Sequence, residues 1–295
     1  MPKRILILGG SGMLGHKLYQ TASNKYDTYV SFRKFSKELR NTGIFERSKI
    51  IDHFDAHNIK KVRETIDKVE PQYIINCIGI IKQKRLIDDP SIAIYINALF
   101  PHLLADICKE TGTKLIHIST DCVFSGKKGN YTEEDISDAD DVYGKTKYLG
   151  EIANQRNLTI RTSIIGRELF AHYSLADWLI SNKNREVYGY KNAIYTGLSS
   201  IALSNEIVRI MKIYPHLHGL YQISSAKISK FDLLVLINKV FNLNIHIVPS
   251  DEYFCDRSLT STKYKEKTNY HPYDWEEMIS EMFTDKTNYE RWEIQ

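Results

Sequence analysis

With 295 residues, 42% of them hydrophobic and 26% charged, the chain has the composition of a globular protein with room for a large core. Its 40 Lys and Arg against 36 Asp and Glu leave a formal charge of +4, too small and too dispersed for a nucleic-acid binder. The four cysteines, Cys77, Cys108, Cys122 and Cys255, show no metal-ligand spacing and read as free thiols of a reducing cytosol, so no metal and no disulfide framework are expected.

The chain runs directly into a strand, without a charged-then-apolar leader. Its longest uncharged apolar stretch, Tyr73 to Ile81, is too short to span a bilayer. A cytoplasmic protein with no membrane partner is the expectation. Arg4 to Leu8 is a continuous apolar run, the pattern of a strand covered on both faces. It enters Gly9-Gly-Ser-Gly12-Met-Leu-Gly15 and then an amphipathic helix to about Ser23. Glycines at that spacing allow a tight turn and close approach of a pyrophosphate, which the helix N-terminus attracts through its N–H groups and dipole.

Thr28 to Ser31 reads as the second strand. An acidic residue at its end would suit a free ribose 2′-hydroxyl; here stands Ser31-Phe32-Arg33-Lys34, and Arg33 suits a 2′-phosphate, which favours NADPH. A helical stretch from Ala56 to Val69 precedes the strand Tyr73 to Ile78, after which Gly79 lets the backbone pass close to the cofactor. A long helix is expected from about Ser91 to Thr111, with Asn97 in its middle, followed by the strand Lys114 to Thr120. His117, inside that strand, reads as a satisfied core histidine.

The polar loop from Phe124 to Asp140 ends in acids that suit a helix N-terminus. That helix carries Tyr143 and Lys147, four apart and therefore on one face. An ammonium beside a phenol favours the phenolate and equips the tyrosine for proton transfer near neutrality. The hydroxyl of Thr120, at the end of a buried strand, could hold a substrate carbonyl against it. Leu158 to Arg161 is a further strand. Strands alternating with helices require a parallel sheet with right-handed crossovers, hence a doubly wound α/β Rossmann layer.

Beyond Ile165 the alternation loosens. Ala171 to Ser181 is expected as helix, Val187 to Thr196 as aromatic and irregular, and Ser200 to Tyr214 as helix. Gly219 to Ser224 is expected back in the sheet, Ser229 to Asp232 as the capped start of a helix, Ile245 to Val248 as a short strand and Asp274 to Phe283 as a closing helix. The expected organisation is a Rossmann domain over 1–165, to which the strand near 219–224 returns, and a smaller substrate-binding lobe over 166–295.

With these residues in place the chain resembles the extended short-chain dehydrogenases/reductases, and among them the dTDP-4-dehydrorhamnose reductase group. The resemblance is carried by the glycine loop, Asn76-Cys-Ile-Gly79, Ser119-Thr-Asp-Cys-Val-Phe-Ser-Gly126, Tyr143-Gly-Lys-Thr-Lys147-Tyr-Leu-Gly-Glu151, Arg161-Thr-Ser-Ile-Ile-Gly166 and Asp256-Arg-Ser-Leu259. It implies reduction of the 4-keto group of a nucleotide-linked 6-deoxyhexose by NADPH. Thr120 and Tyr143 would bind the carbonyl oxygen, Tyr143 would deliver the proton, and Lys147 would bond the nicotinamide ribose. The cofactor would lie against Gly9, Gly12, Met13, Leu14, Gly15, Arg33, Cys77, Ile78, Gly79, Asn97, Lys147, Ser163 and Ile164. The nucleotide sugar would meet Lys82, Asp121, Arg167, Tyr195 and Arg257, whose guanidinium suits a diphosphate; a lobe-packing salt bridge is the other reading of Arg257. A homodimer is also implied.

Cys122 sets the chain apart within that group. The 4,6-dehydratases carry Glu there, which argues against dehydration, and the dTDP-rhamnose reductases usually carry Tyr. The GDP-fucose synthases carry a cysteine two residues past the catalytic Ser or Thr as an epimerisation base. A thiol near a carbon acidified by the 4-ketone can remove its proton, with an acid such as His172 reprotonating the opposite face. An inert Cys122 with a separate epimerase upstream is the equal alternative. Reductases with this Cys and with Asp-Arg-Ser-Leu resemble those acting on UDP-2-acetamido-2,6-dideoxy-hexos-4-uloses, towards products such as N-acetylrhamnosamine or N-acetylquinovosamine. That places UDP ahead of dTDP as carrier. The regulatory β subunit of methionine adenosyltransferase resembles the same group yet acts as a binding partner, so fold alone does not settle function.

Overall fold

The computed structural model describes residues 3–81, 87, 89–170 and 173–289. By its contacts the chain forms two compact units, interleaved in sequence: one of residues 1–120, 140–161 and 204–221, the other of 121–139, 162–203 and 222–295.

The first unit is built on β1 (Arg4–Leu8), α1 (Met13–Ala22), β2 (Asp27–Ser31), α2 (Lys37–Asn41), β3 (Ile50–Ile51), α3 (Ile59–Val69) and β4 (Tyr73–Asn76). There follow α4 (Pro90–Ala93), a π-helical turn (Ile94–Leu99), α5 (Phe100–Thr111), β5 (Lys114–Thr120), α6 (Val142–Leu149) and β6 (Leu158–Thr162). The seven-stranded sheet has the order β11-β6-β5-β4-β1-β2-β3, where β11 is Gly219–Gln222. Pairings of β1 with β2 and β4, and of β4 with β5, are parallel. The order reverses between β1 and β4, the switch point at which doubly wound sheets open a crevice beyond their strand ends.

Continuous burial explains the continuous apolar runs: Ile5 to Leu8, Ile74, Ile75, Leu115 and Ile116 are fully enclosed. Helices cover them with Val62, Ile66, Leu104 and Ile107 in one cluster. The helix expected as a single regular segment contains the π turn, with Ile96, Asn97 and Ala98 buried in succession. Residues 90–111 are long and apolar enough to cross a membrane by length and composition, which the reading of Tyr73 to Ile81 as the longest such stretch overlooked; yet 56% of that window is buried in the protein, as for a core helix.

The second unit uses short elements: β7 (Ile164–Ile165), α7 (Leu175–Ser181), β8 (Glu186–Tyr190), β9 (Ala193–Tyr195) and β10 (Leu198–Ser199), which leads into α8 (Ser200–Ile213). Then come β12 (Ile228–Ser229), α9 (Lys230–Phe241), β13 (His246–Ser250), β14 (Cys255–Asp256), α10 (Thr262–Thr268) and α11 (Trp275–Thr284). Serine and aspartate caps start the helices: Ser174, Ser229 and Asp274 each accept a backbone N–H of the first turn. The stretch Val187 to Thr196, expected to be irregular, instead forms β8 and β9. In β8, buried Val187 and Gly189 alternate with exposed Glu186, Tyr188 and Tyr190, and the strand pairs in parallel with β13. The helix expected from Ala171 begins only at Leu175, where Ser174 caps it.

Candidate active site

In the first unit the residues singled out by sequence gather at the carboxyl ends of the strands. Gly9 follows β1 with φ +87°, a backbone state that favours glycine. The loop is tied to the end of β2, with Gly10 N donating to Ser31 O at 3.0 Å and Gly9 N to Ser31 Oγ at 3.3 Å. A Cβ on Gly15 would stand 2.2 Å from Gly9 O, so α1 can approach the loop this closely only with glycine there. Gly12 is the N-cap of α1 and offers no side-chain cap, which leaves first-turn N–H groups of a ten-residue helix for a ligand. A Cβ at Gly12 would meet nothing nearer than 3.5 Å, so the glycine leaves a shallow open cradle at a positive helix end. These residues fit the diphosphate of a dinucleotide. Arg33 stands exposed just past β2, and Met13 and Leu14 open α1.

β4 ends at Asn76 rather than at Ile78, because the Asn76 carboxamide accepts Ile78 N at 3.1 Å and turns the chain out of the sheet. Burial pushes the adjacent Cys77 thiol up to about 12, which leaves it protonated and inert. His117 is fully buried, and burial with the nearby charge of Lys147 holds it neutral. Only one of its ring nitrogens is satisfied, by the Asn76 amide at 3.2 Å; Nε2 has no hydrogen-bond partner among the described residues, so the expected satisfied histidine is half so. Asn97 sits on the π turn, where its amide accepts Ile80 N at 2.8 Å and donates to Ile80 O at 3.0 Å and Thr146 Oγ1 at 3.2 Å. It thereby fastens the backbone just past Gly79 to α6. A π turn at a functional position is a recurring device.

Asp141 caps α6 by accepting Gly144 N at 2.7 Å, fixing the turn that carries Tyr143. One turn on, buried Lys147 donates from Nζ to Ile118 O at 2.7 Å. Burial lowers its pKa to about 8, with Glu151 and Cys77 pulling the other way. Thr120 is buried at the end of β5, two residues past that carbonyl. Tyr143 is half-buried. A phenol, an ammonium and a hydroxyl are thus supplied by one helix and one strand end of the same unit.

The second unit contributes a different group. Asp121 to Val123 form a 3-10 turn, and Cys122 is half-buried there, with Arg257 Nη1 3.8 Å from its sulfur. Arg257 Nε donates to Phe124 O at 2.7 Å, which holds the guanidinium in place. Burial keeps the Tyr195 phenol protonated although Ser163 hydrogen-bonds to it. Lys230, absent from the sequence reading, lies with Nζ 4.7 Å from the Tyr195 ring centre. Burial lowers its pKa while Asp121 and Cys122 raise it. The cap motif around Ser229 had marked the position, but only as a helix start. Ile164 lies in β7, opposite Leu198. Arg167 is engaged by buried Asp177. Lys82 and His172 lie outside the described residues. Among the described residues no group of three or more His, Cys, Asp or Glu could hold a metal ion.

A comparison with protein families matches residues 3–174 to the RmlD substrate binding domain. The chain belongs to this family. It is an RmlD-like member of the extended short-chain dehydrogenases/reductases. Methionine adenosyltransferase 2 subunit beta of Mus musculus is 26% identical over 84% of this chain and 75% of its own length. The dTDP-4-dehydrorhamnose reductase of Salmonella typhimurium is 31% identical over 54% of this chain and 50% of its own. The solved dTDP-4-dehydrorhamnose reductase of Bacillus anthracis in complex with NADP superposes with a TM-score of 0.80, covering 96% of this chain and 99% of that one at 23% identity, and thus shares the RmlD-like fold.

Proposed function

We propose that this RmlD-like chain reduces the 4-keto group of a nucleotide-linked 4-keto-6-deoxyhexose with NADPH. The observation that carries this reading is the first unit's arrangement, with Asp141 fixing the turn of Tyr143 and Lys147 tied to the strand end that bears Thr120. The solved relative with NADP, and a relative named for 4-dehydrorhamnose reduction, support the cofactor and the substrate class.

The glycine loop, the N-terminus of α1 and Arg33 would hold NADPH, which supplies hydride to the carbonyl carbon when bound. Thr120 donates a hydrogen bond to the carbonyl oxygen and Tyr143 gives it the proton. Lys147, an ammonium near neutrality, stabilises the resulting phenolate and bonds the ribose. Arg257 and Lys230 of the second unit would take the diphosphate of the sugar nucleotide. The proposed substrate is a UDP-2-acetamido-2,6-dideoxy-hexos-4-ulose, with dTDP-4-dehydrorhamnose as the alternative. Cys122 is proposed as the base that takes the proton from carbon 3 in a preceding 3-epimerisation, its thiolate favoured by Arg257, with an acid on the opposite ring face returning a proton to carbon 3 to complete the inversion.

Incubation of the protein with NADPH and the UDP-linked ketosugar in deuterated water, read by NMR, tests this. Deuterium at carbon 3 with reduction at carbon 4, lost from carbon 3 in Cys122→Ser, is expected. Reduction without deuterium leaves a plain ketoreductase. Turnover of the dTDP-linked sugar alone moves the carrier. No turnover of either favours a binding subunit, a reading that the match to methionine adenosyltransferase 2 subunit beta over most of the chain keeps in view.

A further inference from the structure

Glu151 lies two residues past the end of α6 and one turn beyond Lys147, and its side chain is 6% exposed. A carboxylate so enclosed needs partners to remain charged. Among the described residues it has two, both in the first unit, which make three hydrogen bonds with it. Ser119 Oγ donates to Oε1 at 2.6 Å, and Arg161 of β6 donates Nε to Oε1 at 2.9 Å and Nη2 to Oε2 at 2.6 Å. The Arg161 side chain is 2% exposed, so the fork is formed out of water.

Placed beside the bond from Lys147 to Ile118 O, this network acquires a second meaning. Lys147, in the last turn of α6, is tied to Ile118, and Glu151, just past the helix, is tied to the next strand residue, Ser119. Thr120 is the next residue of that strand. A tie from the last turn of a helix and another from the chain just past it, to consecutive strand residues, restrain both the rotation and the height of the helix end, which a single tie cannot do. The register between Tyr143 and Thr120 follows from them.

We infer that Glu151, clamped by Arg161 and Ser119, is a positioning residue of the reductase: it holds the end of α6 in register on β5 and keeps a negative charge in the neighbourhood of Lys147. The inference rests on the proposed reaction for the role of Lys147, but the clamp itself does not. Among the described residues, the other titratable groups that act on Lys147 are Cys77 just past β4, which burial keeps protonated, and neutral His117 on β5. Glu151 is therefore the carboxylate that favours the charged lysine there, in agreement with its upward pull on the Lys147 pKa.

Glu151→Gln alone would leave Arg161 charged in the interior and risks the fold. The test uses Glu151→Gln/Arg161→Met, which removes both charges together. The ε-carbon resonances of lysine, labelled with carbon-13 and assigned by loss of the Lys147 signal in Lys147→Met, are followed against pH without substrate. The folded double variant should titrate Lys147 about one unit lower. With the ketosugar, kcat at pH 7.5 should fall about 10- to 100-fold, KM should hold, and the alkaline limb of the kcat profile should move down with the lysine. Glu151→Asp, which keeps the charge, should hold the lysine's titration near that of the unaltered protein. A folded double variant whose Lys147 titrates unchanged would overturn the inference. A protein that reduces no ketosugar would end the reductase reading and still leave the titration to decide on Glu151.

Discussion

In the first unit, Glu151 closes on Arg161 and Ser119, and Lys147 closes on a strand-end carbonyl. In the second, Arg257 and Lys230 stand half-buried around a neutral phenol and a thiol, with Asp121 the nearby carboxylate. Around Lys147 the first unit pairs its buried charges internally. The other is proposed to offer its two cations to an anionic ligand. On the proposed reading, the first unit carries the ketone reduction, and the second holds the sugar nucleotide and the base for carbon 3.

Tyr143→Phe gives the largest expected effect. Loss of the proton donor should lower kcat about 10³-fold, with NADPH affinity and melting temperature little changed because the ring stays half-buried. Retention of more than a tenth of the activity would remove the proton role from the first unit. Next is Arg257→Leu, where KM for the sugar nucleotide should rise about tenfold, or about 1.4 kcal/mol, with kcat within a few-fold. A large fall in kcat at saturating substrate would mean that Arg257 acts beyond binding, through the Cys122 sulfur beside it.

The smallest effect concerns stability. Folding lowers the Lys147 pKa from 10.5 to about 8, so between those values the unfolded chain binds more protons. The cost of burying the ammonium, on the order of 3 kcal/mol at 1.36 per unit, is full below pH 8 and fades as pH rises toward 10.5. Lys147→Met should therefore melt a few degrees above the unaltered protein at pH 7.5, with the gap narrowing by pH 10. A gap independent of pH would show that the first unit does not carry this buried charge as described.

Much of the first unit was legible because its central strands β1, β4 and β5 are buried on both faces and read as largely apolar runs, as from Ile5 to Leu8. Tyr143 and Lys147 were legible through helical spacing, and Gly9 and Gly15 through their place between strand and helix. Spacing does not reveal partners across the fold. Glu151 stood in view in its motif, but that it meets Arg161 ten residues later depends on β6 lying beside β5. The second unit was harder. In β8 the tyrosines take the exposed positions and a glycine a buried one, so apolarity by residue type ran against the true alternation. Lys230 was missed because nothing local to a helix start tells which side chain on another strand, here Tyr195, will stand beneath it.

The π turn at Asn97 bears on how the long helix is to be read. Widening one turn by a residue advances the helix phase by about 100°, so α4 and α5 are two amphipathic segments out of step, joined by a vernier. The widened turn lets Asn97 bridge Ile80 and α6 while Phe100 and Leu104 still meet the core. A redesign that imposed one unbroken hydrophobic period on residues 90–111 would make a better helix and would rotate the carboxamide away from the backbone it holds.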